Sequence, residues 1–197
     1  LTNSKNSTVS CGDFSLDCSL NVLEGNYFKR ELYTRYRPTV KSIVIHEGRV
    51  LLVQSAKDDT GATWIPPQGG VGHNETVFQA IRRELREELG DDLFIGCEQP
   101  VLLGHYVNTV RDDHKPKLIL AVAVTLCGKA KIKLNNENKR YHFTRNQHDL
   151  WNIMHRTRRV KLLGTCCAIN KAHNQGLLSW SCDDIINFYP DSDIAAA

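Results

Sequence analysis

Three glutamates, Glu84, Glu87 and Glu88, stand at spacings of three, four and one in the run Arg83-Glu84-Leu85-Arg86-Glu87-Glu88-Leu89-Gly90. On a helix, at about 100° per residue, they share an arc of about 100°. Carboxylates so close repel and raise one another's proton affinity, so by themselves they weaken the helix that carries them. A divalent cation reverses that sign. Hard oxygens clustered on a rigid element suit Mg²⁺ or Mn²⁺, with water and a phosphate oxygen completing the octahedron. Arg82 and Arg83 are near enough along the chain to hold one carboxylate in place. For Glu-Leu-Arg-Glu-Glu alone, the competing reading is an exposed, charge-rich helix face.

The element that must carry these residues is a helix from Asn74 or Glu75 to Leu89. Asn74 is its expected N-cap, Glu75 suits the positive end of the dipole, and Gly90 stops it. Phe78, Ile81, Leu85 and Leu89 form its core-facing stripe, beside the carboxylate arc. Just upstream, Trp64-Ile65-Pro66-Pro67-Gln68-Gly69-Gly70 holds two prolines and two glycines, which forbid a helix interior and predict a rigid bend. Order is expected from about Tyr36. Ser42–Ile45 and Val50–Val53 read as strands joined by a turn containing Gly48, and 57–62 as a loop. Val101–Val107 and Lys117–Leu126 read as further strands, Lys129–Asn146 as a polar excursion with short extended pieces, and Val160–His173 as containing a helix. Residues 1–24, rich in Ser, Asn and Thr, are expected to be weakly ordered or appended, leaving 25–197 as one domain.

The whole acidic segment resembles the Nudix box: Gly69, five residues, Glu75, seven residues, then Arg83-Glu84-Leu85-x-Glu87-Glu88-x-Gly90. Only the closing aliphatic position departs, with Asp91 in its place and Leu93 expected to supply that packing. The resemblance implies a Nudix fold of α/β (α+β) class, a mixed β-sheet sandwiched between helices. It implies Glu84, Glu87 and Glu88 as ligands of Mg²⁺ or Mn²⁺, with the Gly69 or Gly70 carbonyl. Glu84, Glu87 and Arg83 would then form the catalytic set, Arg83 orienting a ligand glutamate and Glu75 holding the loop to the helix by a salt bridge. The implied reaction is metal-assisted hydrolysis of a pyrophosphate linkage in a nucleoside diphosphate joined to another group.

Tyr36-Arg37-Pro38-Thr39-Val40, and Trp64-x-x-Pro67-Gln68-Gly69-Gly70 before the box, are similar to the RNA pyrophosphohydrolase and dinucleoside polyphosphate hydrolase group. That likeness implies substrate contacts at Arg37, Gln68, Lys115 and Lys117, and a 5′-polyphosphorylated RNA end or dinucleoside polyphosphate as substrate. Trp64 reads first as a core aromatic. Where that group carries a later Glu before Asp-x-Trp, this chain has Gln147, and a neutral amide is no base. Glu84, Glu87, Glu137 and His148 remain as candidate bases. Arg111 joins Lys115 and Lys117 as a charge to offset phosphate, and Tyr106, Tyr141 and Phe143 are candidates for base stacking. His114, beside Asp112-Asp113, reads as a loop residue, and His73 is expected to face solvent. Two other functions stay open: hydrolysis of ADP-ribose, a nucleotide sugar or a nucleoside triphosphate, and a Nudix-fold module that binds a nucleotide or RNA without cutting it.

Composition sets the outer bounds. With 197 residues, 41% apolar and 24% charged, the chain suits one soluble domain with one well-buried core. Its longest apolar runs, such as Leu118–Leu126, are too short to span a bilayer, and no cationic-then-apolar leader opens it. Seven cysteines form no C-x-x-C pair, so reduced thiols and a cytoplasmic setting are expected. The net charge of +3 conceals an asymmetry: between Lys129 and Lys161 ten Lys and Arg face only Glu137 and Asp149. Such a stretch attracts RNA or polyphosphate, or is a solvated basic face.

Overall fold

The apolar runs on either side of Gly48 become the strands β5 (Arg37–His46) and β6 (Arg49–Ser55). Their two-residue turn places both Glu47 (φ 49°) and Gly48 (φ 71°) in the left-handed region, the primed geometry that matches strand twist. These elements belong to a computed structural model that describes residues 9–11, 14–16, 21–56, 63–90, 99–108, 115–128 and 131–187. The 57–62 loop, Asp91, Leu93, Arg111 and His114 lie outside them.

Strand β5 is central. It runs parallel to β10 (Lys117–Thr125), which pairs antiparallel with β9 (Val101–Asn108), while β11 (Asn138–Thr144) pairs with the far side of β6. The order is β11-β6-β5-β10-β9. Beside the turn, β5 and β6 pair only at Ile45↔Val50 and His46↔Arg49, and then the sheet forks. Into the fork run β7 (Trp64–Ile65), paired with β6, and β8 (Gln68–Gly70), paired with β5. Pro66 and Pro67 join them where no ladder donor is needed, and the Pro67 carbonyl accepts from Ser42 N–H at 2.8 Å. The expected rigid bend is thus a bridge across a split sheet.

Helices cover both faces, so the central strands bury side chains on each side and read as nearly unbroken apolar runs. On one face α2 (Val77–Leu89) packs against Val40, Val44, Leu51, Val53, Leu118, Leu120 and Val122. On the other, α3 (Gln147–Met154), α4 (Arg159–Asn174) and α5 (Asp183–Asn187) cover Ile43, Ile45, Leu52, Ile119 and Ala121. This is the mixed sheet between helices that the resemblance implied. Among the described residues, no helix is long and apolar enough to cross a membrane.

Several expectations need correction. The packed chain begins before Tyr36: hairpin strands β3 (Leu23–Glu24) and β4 (Tyr27–Phe28) lead to α1 (Leu32–Arg35), and Val22 and Phe28 are buried in the layer with α2. Further upstream, β1 (Val9–Cys11) and β2 (Phe14–Leu16) pair antiparallel. Helix α2 is capped by Thr76, not Asn74. Thr76 Oγ1 accepts from Gln79 N–H, and Gln79 Oε1 accepts from Thr76 N–H, a reciprocal pair that outcompetes Asn74. Val77 and Ala80 take the buried positions, and Phe78 is only half-buried. The excursion at 129–146 contributes the edge strand β11, whose partly exposed position tolerates its polar sequence. Cys167 is disulfide-bonded, against the expectation of reduced thiols, whereas Cys127, Cys166 and Cys182 are free.

Candidate functional site

The fork in the sheet leaves a cavity of about 390 Å³ lined by Arg37, Thr39, Gln68, Gly69, Glu84, Glu87, Lys117 and Glu137, together with Gly70. Each wall follows from local structure. Arg37 and Thr39 lie on one face of β5 by strand alternation, and Lys117 is the register partner of Arg37 on β10. Gln68 to Gly70 arrive on β8, and Glu84 and Glu87 project from α2 one turn apart.

Arg83 organises the acidic wall. Its Nε and Nη2 donate to the two oxygens of Glu75 at 2.8 and 3.0 Å, and Nη2 also donates to the Gly70 carbonyl at 2.8 Å. Its Nη1 reaches Glu84 Oε1 at 2.6 Å and Glu87 Oε2 at 3.3 Å. The bidentate grip holds the Glu75 carboxyl below the usual range, chiefly through the Arg83 hydrogen bond, and raises the guanidinium further. Glu75 also accepts from Gly72 N–H at 3.0 Å, so loop and helix are tied together as the box implied. Glu75 does this from the loop ahead of the helix, however, rather than from the first turn.

The glutamates differ in burial. Glu84 is deep, its side chain 14% exposed, and desolvation raises its carboxyl despite Arg83. A Cβ at Gly69 would overlap that carboxylate, so any larger residue there would force the Glu84 side chain out of its place. Glu87 stands more open, at 54%. Glu88 is buried behind the cavity wall, accepting from Gln68 N–H and, at 3.4 Å, from Asn138 Nδ2. Desolvation, then the negative charge of Glu84, pushes its carboxyl up to about 7. Among the described residues, no three His, Cys, Asp or Glu side chains are poised to hold an ion together. Arg83 accounts for part of this, since Nη1 occupies both Glu84 and Glu87. If those carboxylates turned to a cation, Arg83 would stay anchored on Glu75 and Gly70. The donor set is all hard oxygen with excess negative charge, and it fits Mg²⁺ or Mn²⁺.

The structure therefore brings Arg37, Gln68, Lys117, Gly69, Glu84 and Glu87 to one cavity, puts Glu88 just behind it, and places Lys115 beside Arg37 and Lys117 in an adjoining one. Arg83 touches the glutamates and is not among the residues that line the open space. Of the candidate bases, Glu137 lines the cavity and its charge bears on Glu88. Gln147 points elsewhere: its amide donates to the Asp184 carboxylate, and its Oε1 accepts from Asp184 N–H at 3.2 Å. His148 goes with it, beside Trp151 and Ile185. Tyr106 is removed as a stacking candidate because it is buried under α4, and Phe143 packs half-buried against the α2 layer, leaving Tyr141 exposed on β11. Trp64 is half-buried and packs against the core on the α4 side.

The NUDIX domain profile matches residues 35–160, more than half of the chain. An RNA pyrophosphohydrolase of Halorhodospira halophila is 50% identical over 56 residues, 28% of this chain and 29% of that protein. The nucleoside triphosphatase NudI of Escherichia coli O139:H28 is 31% identical over 114 residues, 54% of this chain and 80% of that protein. The chain thus spans less than a third of the first relative's length. A NUDIX hydrolase structure from Nitrosomonas europaea superposes with TM-score 0.57 at 20% identity, covering 80% of this chain and 99% of that one, which is a likeness of fold.

Proposed function

This chain belongs to the Nudix hydrolase family, and from that premise we propose that it hydrolyses a pyrophosphate linkage in a nucleoside diphosphate joined to another group, with Mg²⁺ or Mn²⁺. The observation that carries the reading is the division of one cavity into an acidic wall (Glu84, Glu87, Glu137) and a cationic wall (Arg37, Lys117). A polyphosphate bridged by a cation needs both signs of charge at close quarters.

Glu84 and Glu87, with the Gly69 carbonyl, would hold the cation, and Glu88 adds a carboxylate from behind once it ionises. When bound, the metal neutralises bridging phosphate oxygens and makes water more acidic. Arg37 and Lys117 bind and orient the phosphates, and Gln68 contributes an amide beside them. Arg83, pinned by Glu75, keeps Glu84 and Glu87 aimed into the cavity. Glu137, which lines the same cavity, takes the proton from the attacking water, the part that Gln147 is chemically unable to play.

The substrate is a 5′-polyphosphorylated RNA end or a dinucleoside polyphosphate, supported by the 50% identity to an RNA pyrophosphohydrolase and by Arg37, Lys115 and Lys117 standing together. The longer match to NudI favours a second reading, a nucleoside triphosphate substrate. Phosphate release with Mn²⁺ from triphosphate-ended RNA, dinucleoside polyphosphates, ADP-ribose and nucleoside triphosphates separates these. Glu87→Gln and Glu137→Gln should each lower kcat by roughly 10²–10⁴, and only Glu87→Gln should weaken Mn²⁺ binding. If Glu87→Gln hydrolyses as fast as the native protein, the metal-site reading fails.

A further inference from the structure

Away from the acidic cavity, the opposite face of the sheet holds two cysteines that the proposed reaction does not use. Cys166 on α4 and Cys182, just before α5, are both buried in the core, and both are free. Their thiols hydrogen-bond to each other. Cysteine packs well in cores, so burial alone assigns these thiols no chemistry. Their contact does, because it brings two sulfurs from distant parts of the chain to within one bond-forming step. The next residue on α4, Cys167, is already disulfide-bonded, so this helix carries one cross-link beside the thiol pair.

A buried amide fixes the meeting. Asn170 stands one turn after Cys166 on the same face of α4 and spends both ends of its side chain on the incoming segment. Its Oδ1 accepts from Cys182 N–H at 2.5 Å, and its Nδ2 donates to the Asp183 carboxylate at 2.8 Å. Around that anchor, Trp180 Nε1 donates to the Gly48 carbonyl at 2.9 Å, and Asp184 pairs with Gln147 of α3. The backbone is therefore held in place by other bonds, and a disulfide asks only that the sulfurs close from contact to about 2.05 Å.

We propose that Cys166 and Cys182 are the site of a second disulfide, formed by exchange with a small-molecule disulfide such as glutathione disulfide, which fastens the segment 177–187 covalently to α4. Burial, then the hydrogen bond from Cys166, raises the Cys182 thiol well above its ordinary value, so the closed pair is unreactive. Oxidation proceeds when the segment opens locally. One cysteine, as its thiolate, attacks the small disulfide, giving a mixed disulfide and one free small thiolate. The other cysteine attacks the protein-side sulfur of that mixed disulfide and displaces the second small thiolate. Each protein thiol gives up one proton, the two protein sulfurs are oxidised, and the two small sulfurs are reduced to thiols.

Equilibration of the full chain with glutathione disulfide, then alkylation and non-reducing peptide mapping, tests this. The peptide bearing Cys166 should be linked to the one bearing Cys182, and the link should be lost in both Cys166→Ala and Cys182→Ala. Thermal melts separate a cross-link from packing. The gap in Tm between oxidised and fully reduced protein should be roughly 5–10 °C wider in the native chain than in either variant, as expected for closing a loop of about 16 residues. Each variant is compared with itself, so a packing defect cancels and only the Cys167 bond remains in its gap. No link in the oxidised native protein, a link that survives Cys166→Ala, or equal gaps in all three proteins would overturn the second disulfide.

Discussion

Each face of the sheet buries a side chain that is charged in water, Glu88 on one and Lys41 on the other, and burial drives the two toward the same pH from opposite ends. On the α2 face, Glu88 rises from the usual carboxylate range to about 7. On the α4 face, Lys41 in β5 is 1% exposed, and desolvation, followed by the like charges of Lys161 and Lys117, brings its amine down to about 7. Among the described residues, its Nζ meets Thr165 Oγ1 at 3.4 Å and the Tyr106 ring at 5.3 Å. The physics is the same on both faces: a charge is taken out of water beside charges of its own sign. Access separates them. Glu88 adjoins Glu87 and lies one turn from Glu84, both in a cavity wall that an arriving cation reaches, whereas α4 seals Lys41 in. Burial of charge therefore marks a site only where a counter-ion has a way in.

Lys41→Met should show the largest effect on stability. The folded amine titrates near 7 and the unfolded one near 10.5, so between those values the unfolded chain binds the extra proton and stability rises with pH. The cost of burying the charge is full below about pH 7 and gone by about 10.5. Met keeps the volume, and Thr165 keeps its bond to the Lys161 carbonyl. Denaturant melts at pH 7 should therefore show a gain on the order of 4 kcal/mol, falling by about half at pH 9. A loss at pH 7 would mean that the amine is compensated, and the symmetry of the two faces would break.

Glu88→Gln should act next, with the opposite pH sense. Here the folded carboxyl binds the extra proton between 4.5 and about 7, so stability is highest below 4.5 and is lost as pH rises through 7. In metal-free protein the variant should gain roughly 2–3 kcal/mol at pH 8 and nothing at pH 4, one hydrogen bond being weakened by the new amide. Saturating Mn²⁺ should reverse the ranking at pH 8 by stabilising the native chain more, which thermal melts would read. A metal response equal in both proteins would remove Glu88 from the ligand set and leave it a buried acid like any other. The smallest effect belongs to the scaffold: Thr76→Ala breaks the reciprocal cap of α2 and should cost about 1 kcal/mol, independent of pH between 6 and 9, in the same melts.

The box from Gly69 to Gly90 was legible because its constraints are local. Helical periodicity puts Glu84, Glu87 and Arg83 on neighbouring faces, and Gly90 ends the helix whatever packs around it. The same locality misled at the N-terminus of α2, where Asn74 and Thr76 are both acceptable caps and only the Gln79 partner decides. Gln147 illustrates another limit. Its position along the chain suggested a place at the site, but its amide is spent on Asp184.

The sequence by itself determined the chemistry on offer: carboxylates at helical spacing, glycines where backbone and side chain must pass closely, and basic residues at a strand entrance. Those follow from short-range geometry, which a few neighbouring residues dictate. Tertiary structure alone decided which distant residues meet. Glu137 faces the box glutamates, His73 stacks on Tyr33 forty residues away, and Lys41 is enclosed by α4. Such contacts arise from the fork between β5 and β6 and from the layering of helices on two faces. These are cooperative packing outcomes that no local window of the chain encodes.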